Sequence, residues 1–172
     1  MTQKNLPTPS NRSLRSGKDV LIFDLDDTLY ERCGRVGDQG ENLEEAQLSP
    51  GVRELLSNPK FTKILVSKEL VPGLQQKKIL HLGLSALFDE IFICSSDPEK
   101  KVYFQEIKEN FPEEKIWVIG DRIDSEIRWG NELNLNTVQI CQGKYKDLKP
   151  KDYLEIPKHK IVKFIQLREI IK

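Results

Sequence analysis

Five short apolar runs, rich in valine and isoleucine, alternate with segments of helical periodicity from residue 18 onward. The apolar residues of each run are consecutive rather than alternating, which is typical of parallel strands covered on both faces. Strands that alternate with helices form βαβ units around a parallel sheet. The sequence therefore predicts strands at residues 18–25, 63–67, 90–94, 116–120 and 137–141.

Helical patterns fill the intervals between these runs. The clearest begins with Asp97, which suits an N-cap, and continues with proline at the first helical position. Further helices are predicted after the sequence SPG at residues 49–51 and over residues 74–81, 123–133 and 161–171. The predicted fold is α/β: a three-layer Rossmann-like sandwich whose helices cover a central, mostly parallel five-stranded sheet.

Charge and cysteine content narrow the possible partners. The 172-residue chain has 27 basic and 27 acidic residues, so its net charge gives no reason to expect nucleic acid or a membrane as a partner. The chain contains no apolar run near the roughly 20 residues that a membrane-spanning helix needs. Cys33, Cys94 and Cys141 are widely spaced and form no CxxC pair, which favours a reduced, cytoplasmic protein. Cys94 and Cys141 lie beside apolar residues and are expected to be small buried hydrophobes.

Two segments depart from the alternating pattern. Residues 1–17 contain two prolines and scattered polar residues but no acid, which predicts a disordered N-terminal tail. Residues from about 31 to 49 are glycine-rich and acidic, and they are long enough for a flap but too short for a separate helical domain. We therefore expect a tail, followed by one core domain over residues 18–172 that carries this flap.

Acidic residues follow two of the predicted strands. The run VLIFDLDDTLY carries Asp24, Asp26 and Asp27, and the run IWVIGDRIDSEI carries Asp121 and Glu126. Parallel strands end at the same edge of a sheet, where α/β proteins bind ligands, and residues two apart in extended chain face the same side. Two carboxylates about 5 Å apart repel by roughly 3 kcal/mol at an effective dielectric near 20. A cation such as Mg²⁺ would offset this repulsion.

These motifs resemble those of the haloacid dehalogenase-like (HAD) superfamily. FDLDDTLY resembles its first motif, an apolar strand followed by DxDx(T/V), and VIGDRIDSE resembles its fourth, GDxxxxD, with Glu126 at the second acidic position. FTKILVS places Ser67 after the second strand, where the family carries Ser or Thr. KKILHLGLSALFDEIFICSS is similar to the family's passage into its third strand. The resemblance covers roughly residues 18–141, in the family's order.

The resemblance implies a Mg²⁺-dependent phosphatase with a minimal cap. Asp24 would be the nucleophile that forms an aspartyl-phosphate, and Asp26 would act first as general acid and then as general base. The Asp24 and Asp121 side chains and the Asp26 carbonyl would hold the metal, with Glu126 binding it directly or through water. Ser67 would hydrogen-bond a phosphate oxygen. The substrate would be a phosphorylated small molecule or macromolecule, and the oligomeric state is not implied.

The lysine of the family's third motif has two candidates. The common form of this motif is KPDPE, and this chain reads SSDPEKK, so Ser95 stands in the lysine's place. Lys100 or Lys101 would reach the phosphate from the first turn of the helix. The weakened motif leaves a second hypothesis open, a catalytically weak HAD-like domain that binds a phosphorylated ligand or protein. Asp26 favours the enzyme, and a receiver-like phosphoacceptor domain is disfavoured because its acids do not take the DxDxT form.

Overall fold

The computed structural model describes residues 17–32 and 42–171. Within these ranges six strands form one sheet with the order β3-β2-β1-β4-β5-β6, and every neighbouring pair is parallel. The structure confirms the predicted α/β sandwich but has six strands where the sequence predicts five. Their bounds are β1 (Val20–Phe23), β2 (Thr62–Lys68), β3 (Glu90–Cys94), β4 (Ile116–Gly120), β5 (Asn136–Ile140) and β6 (His159–Ile161).

The sixth strand lies where the sequence prediction was wrong. The apolar spacing of residues 161–171 predicts one helix, but His159–Ile161 instead pair in parallel with Val138–Ile140. A 3₁₀ turn at Phe164–Gln166 and a short helix, α5 (Leu167–Ile170), follow. The backbone groups at the edge of β5 need hydrogen-bond partners, and β6 supplies them.

Helices cover both faces of the sheet. Ser96 rather than Asp97 caps α3 (Asp97–Asn110), since its hydroxyl accepts a hydrogen bond from the Glu99 backbone N–H at 3.3 Å. The helix predicted over residues 123–133 consists of a π-helical turn, Ile123–Ile127, that continues into α4 (Arg128–Glu132). The remaining helical bounds are α1 (Val52–Leu56) and α2 (Leu74–His81).

Two apolar layers flank the sheet because successive residues of β1 face opposite sides. Leu21 and Phe23 belong to the layer that α1, α2 and α5 cover, and Val20 and Ile22 belong to the layer under α3. The ring of Phe164, after β6, stacks on Phe23 with 6.1 Å between ring centres. The C-terminal segment is therefore packed directly on the central strand.

The order of the strands fixes where a ligand would bind. The chain moves outward from β1 to β3 on one side and from β4 to β6 on the other, so β1 and β4 lie at the point where the direction reverses. Ligands of open α/β sheets bind beyond the carboxyl ends of the strands at this point. Asp24 and Asp121 are the residues that immediately follow these two strands.

Several predictions fall wholly or partly outside the described residues. These are the tail, apart from Gly17, the middle of the flap, and Cys33. Cys94 and Cys141 are free thiols, the first buried and the second partly buried. In the described ranges, the helices are all too short or too polar to cross a membrane. The tail, the flap and the limits of the core domain remain predictions.

The packing of the C-terminal segment can be tested with Phe164→Ala. Phe164 is buried against Phe23, so its truncation should lower the free energy of unfolding by about 3 kcal/mol. Val162→Ala is the matched control, because Val162 is exposed and its truncation should change stability by less than about 0.5 kcal/mol. Urea unfolding measures both, and equal effects of the two substitutions would contradict the packing.

Candidate active site

The two acidic strand ends meet at one edge of the sheet. The Asp24 backbone N–H donates to the Ile119 carbonyl at 3.0 Å, so the pairing of β1 with β4 extends to the first acid. Asp24 and Asp121 are both buried, with 7% and 3% of their surfaces exposed. The open pocket at this edge is lined by five of the predicted site residues, Asp24, Asp26, Lys100, Asp121 and Glu126.

Lys100 provides the cation at the centre of this cluster. Its side chain is 2% exposed, and its Nζ lies 2.8 Å from Asp24 Oδ1 and 2.5 Å from Glu126 Oε1. Lys101 points elsewhere: its Nζ binds Glu132 Oε1 at 2.5 Å and is partly exposed. Of the two lysines that the sequence offers, the structure brings Lys100 to the acids and leaves Lys101 on another face of α3.

Glu126 reaches the cluster because the π-helical turn packs closely on Gly120. A Cβ atom on Gly120 would lie 2.6 Å from Glu126 Cγ, so only glycine permits this approach. Glu126 is 1% exposed, and its carboxylate also accepts hydrogen bonds from Ser125 Oγ at 3.2 Å and the Arg122 backbone N–H at 3.3 Å. These two hydrogen bonds fix the Glu126 carboxylate beside Lys100.

The Asp26 carboxylate is held from a different direction. Its Oδ1 accepts hydrogen bonds from Tyr30 Oη and Lys78 Nζ, each at 2.6 Å, and its Oδ2 accepts one from Gln75 Nε2 at 2.8 Å. Sequence reasoning missed Gln75 and Lys78, which are both 2% exposed. The sequence gives only a weak indication that these two residues belong to the site. They are polar residues one turn apart on α2, on the side of the helix that also buries Ile79.

Ser67 lies at the end of β2, next to the same network. It is 1% exposed, and its hydroxyl accepts a hydrogen bond from Gln75 Nε2 at 2.8 Å. Ser67 is not among the residues that line the open pocket. The structure therefore places Ser67 behind the Asp26 cluster, with Gln75 between them.

The rim of the pocket carries two cations that share one acid. Lys68 Nζ binds Asp97 Oδ2 at 2.6 Å, and Arg122 Nη1 approaches Asp97 Oδ1 at 3.3 Å. Arg122 Nε also binds Asp124 Oδ1 at 3.1 Å, and its guanidinium lies 4.9 Å from the centre of the Tyr145 ring. These contacts hold two positive charges at the mouth of a pocket whose lining carries both acids and bases.

Burial and neighbouring charges shift the pKa values of three acids. Burial raises the pKa of Asp24 to about 7; the Lys100 ammonium opposes this rise, and the Glu126 carboxylate adds to it. Burial also raises the pKa of Asp121 well above its usual range, and Glu126 and Asp24 raise it further. Burial would raise the pKa of Asp26 too, but the Lys78 ammonium and the hydrogen bonds from Lys78, Tyr30 and Gln75 hold it below its usual value.

The donor set fits Mg²⁺. Although Asp121 is buried, its carboxylate accepts no hydrogen bond from the described residues. In the described ranges no three His, Cys, Asp or Glu side chains already surround one metal position. Mg²⁺ commonly takes only one or two carboxylates, completing its shell with other oxygens, water and substrate phosphate. An orphaned buried carboxylate beside Asp24 is consistent with that pattern.

Comparison with known proteins shows which family the chain resembles. A family model described as HAD-hydrolase-like matches residues 96–166. The glyceraldehyde 3-phosphate phosphatase of Methanopyrus kandleri is 30% identical over 104 residues, which are 57% of this chain and 44% of that protein. The enzyme of the same name from Pyrococcus furiosus is 29% identical over 132 residues, 72% of this chain and 54% of that protein. The chain thus spans about half the length of these relatives.

Solved structures of HAD-like hydrolases have the same fold as this chain. The HAD-hydrolase YfnB from Bacillus subtilis, solved bound to magnesium, matches with a TM-score of 0.68 and 20% identity, over 90% of this chain and 99% of that one. This likeness shows the fold, and the family model covers the segment that contains Asp121. The chain is thus similar to haloacid dehalogenase-like hydrolases in its fold, in the family model that matches residues 96–166 and in these phosphatase relatives.

Proposed function

We propose that the protein is a Mg²⁺-dependent phosphomonoester hydrolase that works through an aspartyl-phosphate. The observation that carries this proposal is the contact of the buried Lys100 ammonium with Asp24 and Glu126, beside the orphaned carboxylate of Asp121. This arrangement combines a carboxylate nucleophile, a cation for phosphoryl oxygens and a site for a divalent ion. Phosphoryl transfer depends mainly on such positioning and charge stabilisation.

In the first step the Asp24 carboxylate attacks phosphorus and the substrate alcohol leaves. Asp26, which its contacts favour as an anion in the free protein, would first take up a proton and then donate it to the departing oxygen. Lys100, already 2.8 Å from Asp24, stabilises the negative charge on the phosphoryl oxygens. Mg²⁺, held by the Asp24 and Asp121 carboxylates and the Asp26 carbonyl with Glu126 alongside, would neutralise further phosphoryl charge. Ser67 would support the site through Gln75.

In the second step water hydrolyses the aspartyl-phosphate. The water oxygen forms a bond to phosphorus, the bond between phosphorus and Asp24 breaks, and the Asp24 carboxylate is restored. Asp26 takes the proton that water releases. Inorganic phosphate and the free enzyme result.

We propose a phosphorylated small molecule as the substrate and the cytoplasm as the location. The names of the relatives support the first, since the archaeal proteins are called phosphatases of a three-carbon phosphate. The sparse, widely spaced cysteines support the second. The rival hypothesis, a domain that binds a phosphorylated ligand without turnover, is separated from catalysis by the following experiment.

Asp24→Asn tests the nucleophile. The purified protein should hydrolyse 4-nitrophenyl phosphate with Mg²⁺, and Asp24→Asn should lower the rate by at least about a thousandfold because an amide is not a nucleophile here. Asp147→Asn, an exposed residue outside the pocket, should leave the rate unchanged. Equal inactivity of wild type and Asp24→Asn, with phosphate binding by both, would favour the binding domain.

Substitutions of two adjacent lysines test which of them serves the site. Lys100→Met should lower activity by at least about a hundredfold, since it removes the cation from Asp24 and Glu126. Lys101→Met removes a partly exposed contact to Glu132 and should change activity by less than about threefold. Steady-state rates with 4-nitrophenyl phosphate measure both. A larger loss in Lys101→Met would contradict the assignment.

The raised pKa values predict how pH and metal affect stability. Between pH of about 4 and about 7 the folded, metal-free protein binds more protons than the unfolded chain, because the pKa of Asp24 rises from 3.8 to about 7 and that of Asp121 also rises. The free energy of unfolding should therefore fall as pH rises through this window. Thermal unfolding without metal, measured at several pH values, should show this decline.

Asp121→Asn should reverse part of the fall in the free energy of unfolding that is expected at higher pH. At pH 7.5 it should stabilise the metal-free protein by about 1–2 kcal/mol, because one buried negative charge is removed. It should also abolish most of the stabilisation that added Mg²⁺ gives to the wild type. Asp147→Asn should do neither. A wild type indifferent to Mg²⁺ would contradict the metal site.

A further inference from the structure

We propose that Lys78 is a positioning residue that holds Asp26 ready for hydrolysis of the aspartyl-phosphate, and that Oδ2 is the oxygen that takes the proton. This inference rests on the proposed function. It starts from a buried lysine that neither the metal site nor the phosphoryl contacts require. Lys78 is 2% exposed, and its Nζ lies 2.6 Å from Asp26 Oδ1.

The contacts to Asp26 are distributed unevenly between its two oxygens. Oδ1 accepts hydrogen bonds from both Lys78 and Tyr30, and among the described residues Oδ2 accepts one, from Gln75. A carboxylate has about four acceptor sites, two on each oxygen. Oδ1 is therefore saturated, and Oδ2 keeps one site for a proton from water.

The position of Asp26 agrees with such a role. A quarter of its side chain, 25%, is exposed, and the residue lines the pocket together with Asp24. All three neighbours donate hydrogen bonds to it, which is the pattern around a carboxylate anion. Lys78 and Gln75 both come from α2 and are one turn apart, so one rigid element orients both oxygens.

A water molecule attacks the phosphorus of the Asp24 acyl phosphate, its oxygen becomes bonded to phosphorus, and its proton moves to Asp26 Oδ2. The bond between phosphorus and Asp24 breaks, and its electron pair returns to the Asp24 carboxylate. Lys78 forms and breaks no covalent bond. Its ammonium fixes the plane of the Asp26 carboxylate so that Oδ2 faces the pocket.

First-turnover kinetics with 4-nitrophenyl phosphate separate this role from a general loss of structure. Because 4-nitrophenolate leaves without needing a proton, its release reports attack by Asp24, and the release of inorganic phosphate reports hydrolysis. With enzyme in excess over substrate, Lys78→Met should release 4-nitrophenolate within about threefold of the wild-type rate. Its release of inorganic phosphate should be slower by at least about tenfold.

Three further variants sharpen the test. Lys77→Met, an exposed lysine on the same helix, should leave both rates unchanged. Tyr30→Phe removes the other donor to Oδ1 and should slow phosphate release in the same direction as Lys78→Met. In an Asp26→Asn background, Lys78→Met should cause no further slowing, because its effect acts through Asp26. The unfolding costs of Lys78→Met and Asp26→Asn should be non-additive as well.

The outcomes separate this inference from the proposed function. If the wild type releases neither product, the proposed function fails and this role fails with it. If the wild type is active and Lys78→Met slows both releases equally, or neither, this inference alone is overturned. Additive unfolding costs of Lys78→Met and Asp26→Asn would overturn the contact itself.

Discussion

The ammonium of Lys100, buried between Asp24 and Glu126, is the interaction on which the site depends. Without it, the fold would bring acidic side chains from β1 and the π-helical turn together with no compensating charge, and buried unpaired charges are strongly destabilising. With Asp121 included, three buried carboxylates face one ammonium, which leaves two negative charges when all three are ionised. That remainder equals the charge of one divalent cation, so the electrostatics of the cluster and the proposed use of Mg²⁺ have a common origin.

The sequence predicted the part of the structure that follows from strand periodicity. Consecutive apolar runs identified the first five strands, and the rule that parallel strands end at one edge predicted that Asp24 and Asp121 lie close together. The strand β6 was not predicted, because only Ile161 of its three residues is buried and the sequence therefore shows no strand pattern there. Its formation depends on the exposed edge of β5, which is a tertiary feature.

The side chains around the acids were harder to predict, because the direction in which a helical side chain points depends on where the helix begins. Adjacent residues on a helix point about 100° apart, so the choice between Lys100 and Lys101 depends on where α3 begins. The cap at Ser96 sets that beginning, and the sequence favoured Asp97. Gln75 and Lys78 gave almost no signal, because polar residues on a short helix usually face solvent. Their burial makes sense only once Asp26 is placed opposite them.

The most direct test of the central claim is a crystal structure with Mg²⁺ and beryllium fluoride, a mimic of an aspartyl-phosphate. We expect the fluoride group on the Asp24 carboxylate, Lys100 Nζ within hydrogen-bond distance of it, and a Mg²⁺ ion about 2.1 Å from oxygens of Asp24 and Asp121. A structure in which the ion binds away from both carboxylates, or in which Asp24 carries nothing while the analogue lies elsewhere, would contradict a shared metal and nucleophile at the ends of β1 and β4.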